Sequence, residues 1–289
     1  LDEMVDAVLG DERVIDEIGR LHAAMNDLTS LDVIDFGTQD GREFPPSAEG
    51  LTALRDVTRS FRRLWGDVEP GWRYGSDIGK LNVSRAMTDP DNYDEMFDQW
   101  DEGREQDTGL EVVIDIDLSG SMRGRSIELT SEALWVLKRA FDELEAKVTV
   151  LGFHTRPIGL YDRNHKVSRT QFTLWSANGG STMPAHSMAL ARTVLANSQM
   201  PNKLFIILTD GGWGYLNNPP GSGHDPAMAS DYPTLIDSIP GTKMYVGVDG
   251  GASVNREFHS HFHTIVELEN PLGLIPLVDK TVEQMLHRI

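Results

Sequence analysis

Two periodicities divide the chain. Up to about residue 105 apolar positions recur at helical spacing: Val14, Ile15, Ile18, Leu21, Met25 and Leu28 predict a helix over about 11–28, and Leu51, Leu54, Val57, Phe61, Leu64 and Trp65 predict a second over about 50–65. Arg55, Arg59, Arg62 and Arg63 fall off that second stripe. They form a basic cluster that can dock an acidic partner or neutralise the acidic N-terminal segment, the internal pairing being the simpler use. Residues 37–50, GTQDGREFPPSAEG, read as a loop from their Gly and Pro content. The polar stretch 88–109 precedes the first strong strand, and there we divide the chain into a helical N-terminal region with an acidic linker, 1–108, and a second domain, 109–289.

From residue 110 short apolar runs alternate with helical periods, the signature of an α/β domain with a mostly parallel sheet. Strands are predicted over 111–117, 147–154, 203–209, 243–248 and 264–269, with an edge strand and a polar loop between Ile158 and Trp175. Helices are predicted over about 125–145, 184–197, 228–238 and 275–287, with a short one between the last two strands. Parallel strands bring their C-terminal ends to one edge of a sheet, where ligands of such folds bind.

That edge is where the chemistry collects. The run EVVIDIDLSGSM, 111–122, ends an apolar strand in carboxylates and then delivers Asp117, Ser119 and Ser121 at alternate positions, with Gly120 allowing a tight turn. Alternating carboxylate and hydroxyl oxygens suit a hard divalent cation such as Mg²⁺. The loop NGGSTM, 178–183, adds Thr182, and the strand KLFIILTDG, 203–211, ends in Asp210. Five oxygen-bearing side chains from three loops are thereby predicted to meet. Taken singly, each is an ordinary cap or turn residue.

With these residues in this order the chain resembles the von Willebrand factor A (VWA) domain, whose metal-ion-dependent adhesion site is built from Asp-x-Ser-x-Ser, a Thr and an Asp. The resemblance implies a Rossmann-like α/β domain with one antiparallel edge strand, and a cation, Mg²⁺ or else Mn²⁺ or Ca²⁺, held by Asp117, Ser119, Ser121, Thr182 and Asp210. Neutral hydroxyls leave such a cation electrophilic, so that a carboxylate from another protein completes its shell; binding rather than covalent chemistry is implied. As an exposed loop cluster, the site should tolerate Asp117→Ala without loss of the fold. The stretch GSDIGKLNVSRAM, 75–87, together with DTGLEVVIDIDLSGSMRGRSIEL, 107–129, further resembles the T subunit of aerobic cobaltochelatase and its bacterial and phage-encoded relatives. Those proteins work beside a MoxR-type AAA+ ATPase, so a non-catalytic adaptor for such an ATPase or its client is the expectation.

Other readings compete at particular residues. Asp115 and Asp117 in DIDLS also resemble the nucleophile motif of haloacid-dehalogenase-type phosphatases, with Asp249 offered as a further metal ligand. A structural interaction module of a phage particle is a third reading. His259, His261 and His263 alternate as though on a strand facing solvent, a pattern open to zinc but lacking a partner motif. Trp213 and Tyr215, beside Asp210, suit either a partner-binding rim or loop packing.

Composition narrows the classes. A formal charge of -19 disfavours nucleic acid and anionic membranes as partners and favours basic ones, or ones reached through a metal. The absence of cysteine excludes disulfides and thiolate chemistry and fits a reducing cytoplasm. No run approaches the ~20 apolar residues of a membrane span and no GxxxxGK[ST] phosphate loop occurs. The first residue is Leu1 rather than Met, as expected of a processed or excised part of a longer product.

Overall fold

The computed structural model describes residues 36, 40–65, 71–76, 79–89, 92, 96–101, 109–213, 232–254, 256–276 and 278–280. Its centre is a six-stranded sheet built from β5 (Leu110–Asp117), β6 (Lys147–Phe153), β7 (Pro157–Tyr161), β9 (Asn202–Thr209), β10 (Thr242–Val248) and β11 (Thr264–Leu268). The strand order is β11-β10-β9-β5-β6-β7. All neighbours run parallel except β7, which closes one edge antiparallel to β6. This is the expected sheet.

All eight residues of β5 are buried because the sheet is covered on both faces. Val112, Ile114 and Ile116 face α3 (Arg125–Glu143), while Val113 joins Phe205, Ile207 and Tyr245 against α4 (Ala185–Asn197) and α5 (Tyr232–Ser238). The period-two alternation of a strand thus divides one apolar run between two cores. The consequence for function is geometric: Asp115 and Asp117 fall on the same side as Val113, towards α4.

The N-terminal region departs from its pattern in three places. Inside the expected loop 37–50, β1 (Gly41–Phe44) pairs antiparallel with β8 (Phe172–Trp175). Every β1 residue is exposed, so no apolar alternation marked it. A second small sheet, in the order β2-β4-β3, is formed by β2 (Gly71–Ser76), β3 (Lys80–Leu81) and β4 (Phe97–Asp101), with α2 (Val83–Thr88) between its last two strands. Thirdly, α1 (Ala48–Trp65) buries Val57 and Phe61 of the predicted stripe, with Leu54 partly buried beside them, but it adds Ala53 to the buried face and leaves Leu51 50% exposed. The buried set, spaced by four residues, packs on α3, with the Phe61 and Phe141 rings 4.7 Å apart. The Ser47 hydroxyl caps α1 by accepting from Gly50 N at 2.9 Å, and Ser47 N donates to Glu132 of α3 at 2.5 Å. Both anchors fix the rotation of the helix.

The predicted helix over 11–28 lies outside the described residues, as does most of the C-terminal helix, of which 274–276 and 278–280 are helical. Among the described residues no helix is long and apolar enough to cross a membrane.

Candidate metal centre

The C-terminal end of β5 builds the site. Asp117 is fully buried, and both its oxygens are engaged: Ser119 N donates to Oδ1 at 2.8 Å, and the Thr209 hydroxyl at the end of β9 donates to Oδ2 at 2.7 Å. Thr209 in turn accepts from Gly211 N at 3.0 Å. The carboxylate therefore stitches its own loop to the strand that delivers Asp210. Nothing in the sequence pattern singled out Thr209; a hydroxyl immediately before a strand-end Asp was the available signal.

A short 3-10 turn over Gly120–Met122 follows, and it brings the Ser119 and Ser121 Oγ atoms to 3.0 Å from each other. Ser119 is buried and Ser121 exposed, so the pair leads from the interior to the surface. The glycine loop lies directly against this turn. Gly179 bridges to Ser119 and donates to Leu118 O at 3.1 Å. A Cβ at Gly179 would stand 2.1 Å from His154 Cβ, so only glycine lets the loop pass this close. Thr182 follows in the same loop, buried at 7% exposure, and Met183 N pins its far side to His154 O at 2.9 Å. Asp210 sits half-buried at the end of β9, its Oδ1 buried with no hydrogen-bond partner. Three of the five residues, Asp117, Ser119 and Thr182, are buried, which corrects the expectation of an exposed loop cluster. Asp117→Ala would strand two buried donors, Ser119 N–H and the Thr209 hydroxyl, each worth ~1–3 kcal/mol when unpaired.

Electrostatics set this end of the sheet apart. Burial pushes the Asp117 carboxyl up to about 6 against the hydrogen bonds from Thr209 and Ser119, and the nearby charge of Asp210 adds to the rise. Burial likewise raises Asp115 well above its usual range, opposed by its bond to Ser187 and assisted by Asp117. The Ser187 Oγ lies 2.6 Å from Asp115 Oδ2 and 2.9 Å from Pro184 O. A hydroxyl has one hydrogen, so Ser187 divides a single donor between the Asp115 carboxyl and Pro184 O. No Lys or Arg among the described residues pairs with Asp115, Asp117 or Asp210.

The competing sites do not assemble. Asp115 is fully buried and bonded to Ser187 of α4, not presented at the surface as a nucleophile would be. Asp249 instead accepts from the Ser126 hydroxyl at 2.5 Å. The histidines lie on and just after a 3-10 helix, Arg256–His261, not on a strand. The His259 ring packs on Tyr245, His261 contacts Asp237 at 2.9 Å, and His263 Nδ1 accepts from Lys243 N at 3.0 Å. No group of three or more His, Cys, Asp or Glu comes together among the described residues. Trp213 is not a rim residue: it is buried, stacked on Phe258 at 5.2 Å and tilted against Tyr232 at 5.0 Å. Tyr215 lies outside the described residues.

Residues 96–211 match the family described as the VWA domain of the cobalamin biosynthesis protein CobT. Among solved structures, the chain is similar to a von Willebrand factor type A protein from Catenulispora acidiphila, at 19% identity over 60% of this chain and 41% of that one, with a TM-score of 0.41. It is also similar to the PilB minor pilin from Streptococcus sanguinis, at 14% identity over 62% of this chain and 61% of that one, with a TM-score of 0.44. BatB from Bacteroides thetaiotaomicron matches at 14% identity over 62% of this chain and 99% of that one, with a TM-score of 0.43. The first two matches span less than two thirds of those proteins' lengths. The family match covers β5, α3 and the three loops at the strand ends, so the segment that holds the candidate site is the part of the chain similar to the CobT von Willebrand factor A domain.

Proposed function

We propose that the strand-end cluster is a metal-ion-dependent adhesion site, and that the protein is a Mg²⁺-dependent binding module rather than an enzyme. One observation carries the reading: at an end of the sheet where Asp117 is buried without a cationic partner, the Ser119 and Ser121 oxygens converge to 3.0 Å while the Asp210 Oδ1 has no partner. The donor set of two carboxylates and three hydroxyls, Asp117, Ser119, Ser121, Thr182 and Asp210, fits a hard cation. Such a cation supplies positive charge to the buried carboxylates and an open position for an incoming carboxylate. Asp117, already held by Ser119 N and Thr209, orients the serine turn; Ser121 marks the solvent side from which a partner's Asp or Glu arrives.

The CobT likeness supports a narrower assignment. The partner is a MoxR-type AAA+ ATPase or its client, and this chain transmits contact without hydrolysing nucleotide or phosphate esters itself. The test is capture of a co-expressed MoxR-type ATPase in Mg²⁺ against EDTA, by wild type and Ser119→Ala, alongside hydrolysis of ATP and of a generic phosphate ester. Mg²⁺-dependent capture that Ser119→Ala weakens, with no turnover, supports the reading. Turnover abolished by Asp115→Asn, or capture indifferent to Mg²⁺, overturns it.

A further inference from the structure

One side of α1, bordered by Glu143 at the end of α3, carries a groove of about 410 Å³ that the metal site does not use. Its wall is a stripe along one side of the helix: Leu51, Leu54, Arg55, Thr58, Arg59 and Arg62. Because Ala53, Val57 and Phe61 are locked into the core, this face is presented to solvent in a fixed register. The three guanidinium groups are 65%, 62% and 61% exposed and share two carboxylates, Asp56 and Glu143, at 3.4–3.5 Å. Strong charge-assisted bonds are shorter, about 2.7–2.9 Å, so most of their donors remain available. Two further features mark the groove as a surface awaiting contact. Leu51 leaves half of its area in water, and the hydroxyl of Thr58, only 6% exposed, has no hydrogen-bond partner.

We propose that this groove docks an acidic amphipathic helix of a partner protein, with carboxylates one turn apart on the arginines and an apolar side chain on Leu51 and Leu54. Charge supports the choice: a basic stripe on a chain of net charge -19 is a local inversion of the surface field. Geometry supports it too. Arg55, Arg59 and Arg62 stand at i, i+4 and i+7, a spacing that a second helix meets with carboxylates at the same interval. Docking here requires no divalent cation, which separates it from the strand-end site.

The test uses the full chain in EDTA and fluorescence anisotropy of a labelled helical peptide of about 18 residues carrying Leu and Glu on one face at i, i+4 and i+7. Binding should weaken at least tenfold between about 50 mM and about 500 mM salt, and at least tenfold in Arg55→Glu/Arg59→Glu. The Arg55→Lys/Arg59→Lys variant should retain most of it, and Glu143→Gln should tighten it by removing the groove's competing acid. Both arginines are exposed, so unchanged thermal unfolding will show that the variants fold. Equal binding of the Gln-for-Glu peptide, no response to charge reversal, or equal capture of a labelled RNA oligonucleotide overturns the proposal.

Discussion

The two ends of β5 carry buried acids and treat them in opposite ways. At its start Glu111, 1% exposed, receives Arg163 at 2.7 Å and the Ser198 hydroxyl at 3.0 Å, so the chain itself provides the balancing cation. At its end Asp115 and Asp117 are as deeply buried, yet their partners are neutral donors from Ser187, Thr209 and Ser119. The same contrast recurs on α3, where buried Lys138 and Asp142 pair at 2.6 Å. A fold that neutralises carboxylates with its own arginine and lysine elsewhere withholds them at one sheet edge. That difference, rather than burial, is what the proposed metal site rests on.

Removing the internal cation gives the largest expected effect. Arg163→Ala leaves Glu111 buried with the Ser198 hydroxyl but no cation; half-exposure of Arg163 lets water compensate in part, so a loss of about 3 kcal/mol is expected, below the upper end for a broken buried pair. Urea denaturation measures it. A loss below about 0.5 kcal/mol, the size of a neutral surface change, would erase the contrast.

Supplying an external cation at the other end should do the reverse. Mg²⁺ at a hundredfold excess over its dissociation constant adds about 2.7 kcal/mol to the stability of the protein. Thermal unfolding in Mg²⁺ against EDTA should show the gain in wild type and its loss in Asp117→Asn. An equal gain in both would place the cation elsewhere.

The pH dependence sharpens the same point. Asp117 in the folded chain titrates near 6, above its unfolded value of 3.8, and Asp115 is raised in the same sense. The folded state therefore holds protons more tightly. Whatever stability these groups lend in acid is lost as pH rises through the folded pKa, a loss for Asp117 of about 3 kcal/mol by pH 7 without metal. The stabilisation by Mg²⁺ should accordingly be larger at pH 7.5 than at pH 5 by about 1–2 kcal/mol, because at pH 5 the cation must first displace the Asp117 proton. A gain that grows towards acid would contradict it.

The smallest stability effect tests the outermost oxygen. Ser121 is exposed, so Ser121→Ala should shift stability by less than about 0.5 kcal/mol. It should still lower Mg²⁺ affinity about tenfold, read by calorimetric titration, since losing one ligand oxygen costs on the order of 1.4 kcal/mol. Unchanged affinity would remove Ser121 from the ligand set.

Much of this was legible in the chain. The strands of the central sheet and α3 and α4 follow from apolar runs of strand and helix period, because two covered faces demand uninterrupted apolar residues. The order Asp117, Ser119, Ser121, Thr182, Asp210 was readable because each residue lies at the end of a strand or in the loop that follows one. Other features depended on contacts remote in sequence. Strand β1 exists only because β8, well over a hundred residues away, offers it a ladder, and its side chains carry no pattern. Which face of α1 is buried was settled by Phe141 and Glu132, so Leu51 went to solvent and the small Ala53 to the core. Thr209 acquired its role from the register of β9 against β5. Sequence alone determined the strands of the central sheet and the residues at their ends, since periodicity and strand ends are local properties. Tertiary structure alone decided which acids receive a cation from the chain and which do not, since ionisation in a protein interior depends on what long-range packing brings within a few ångströms.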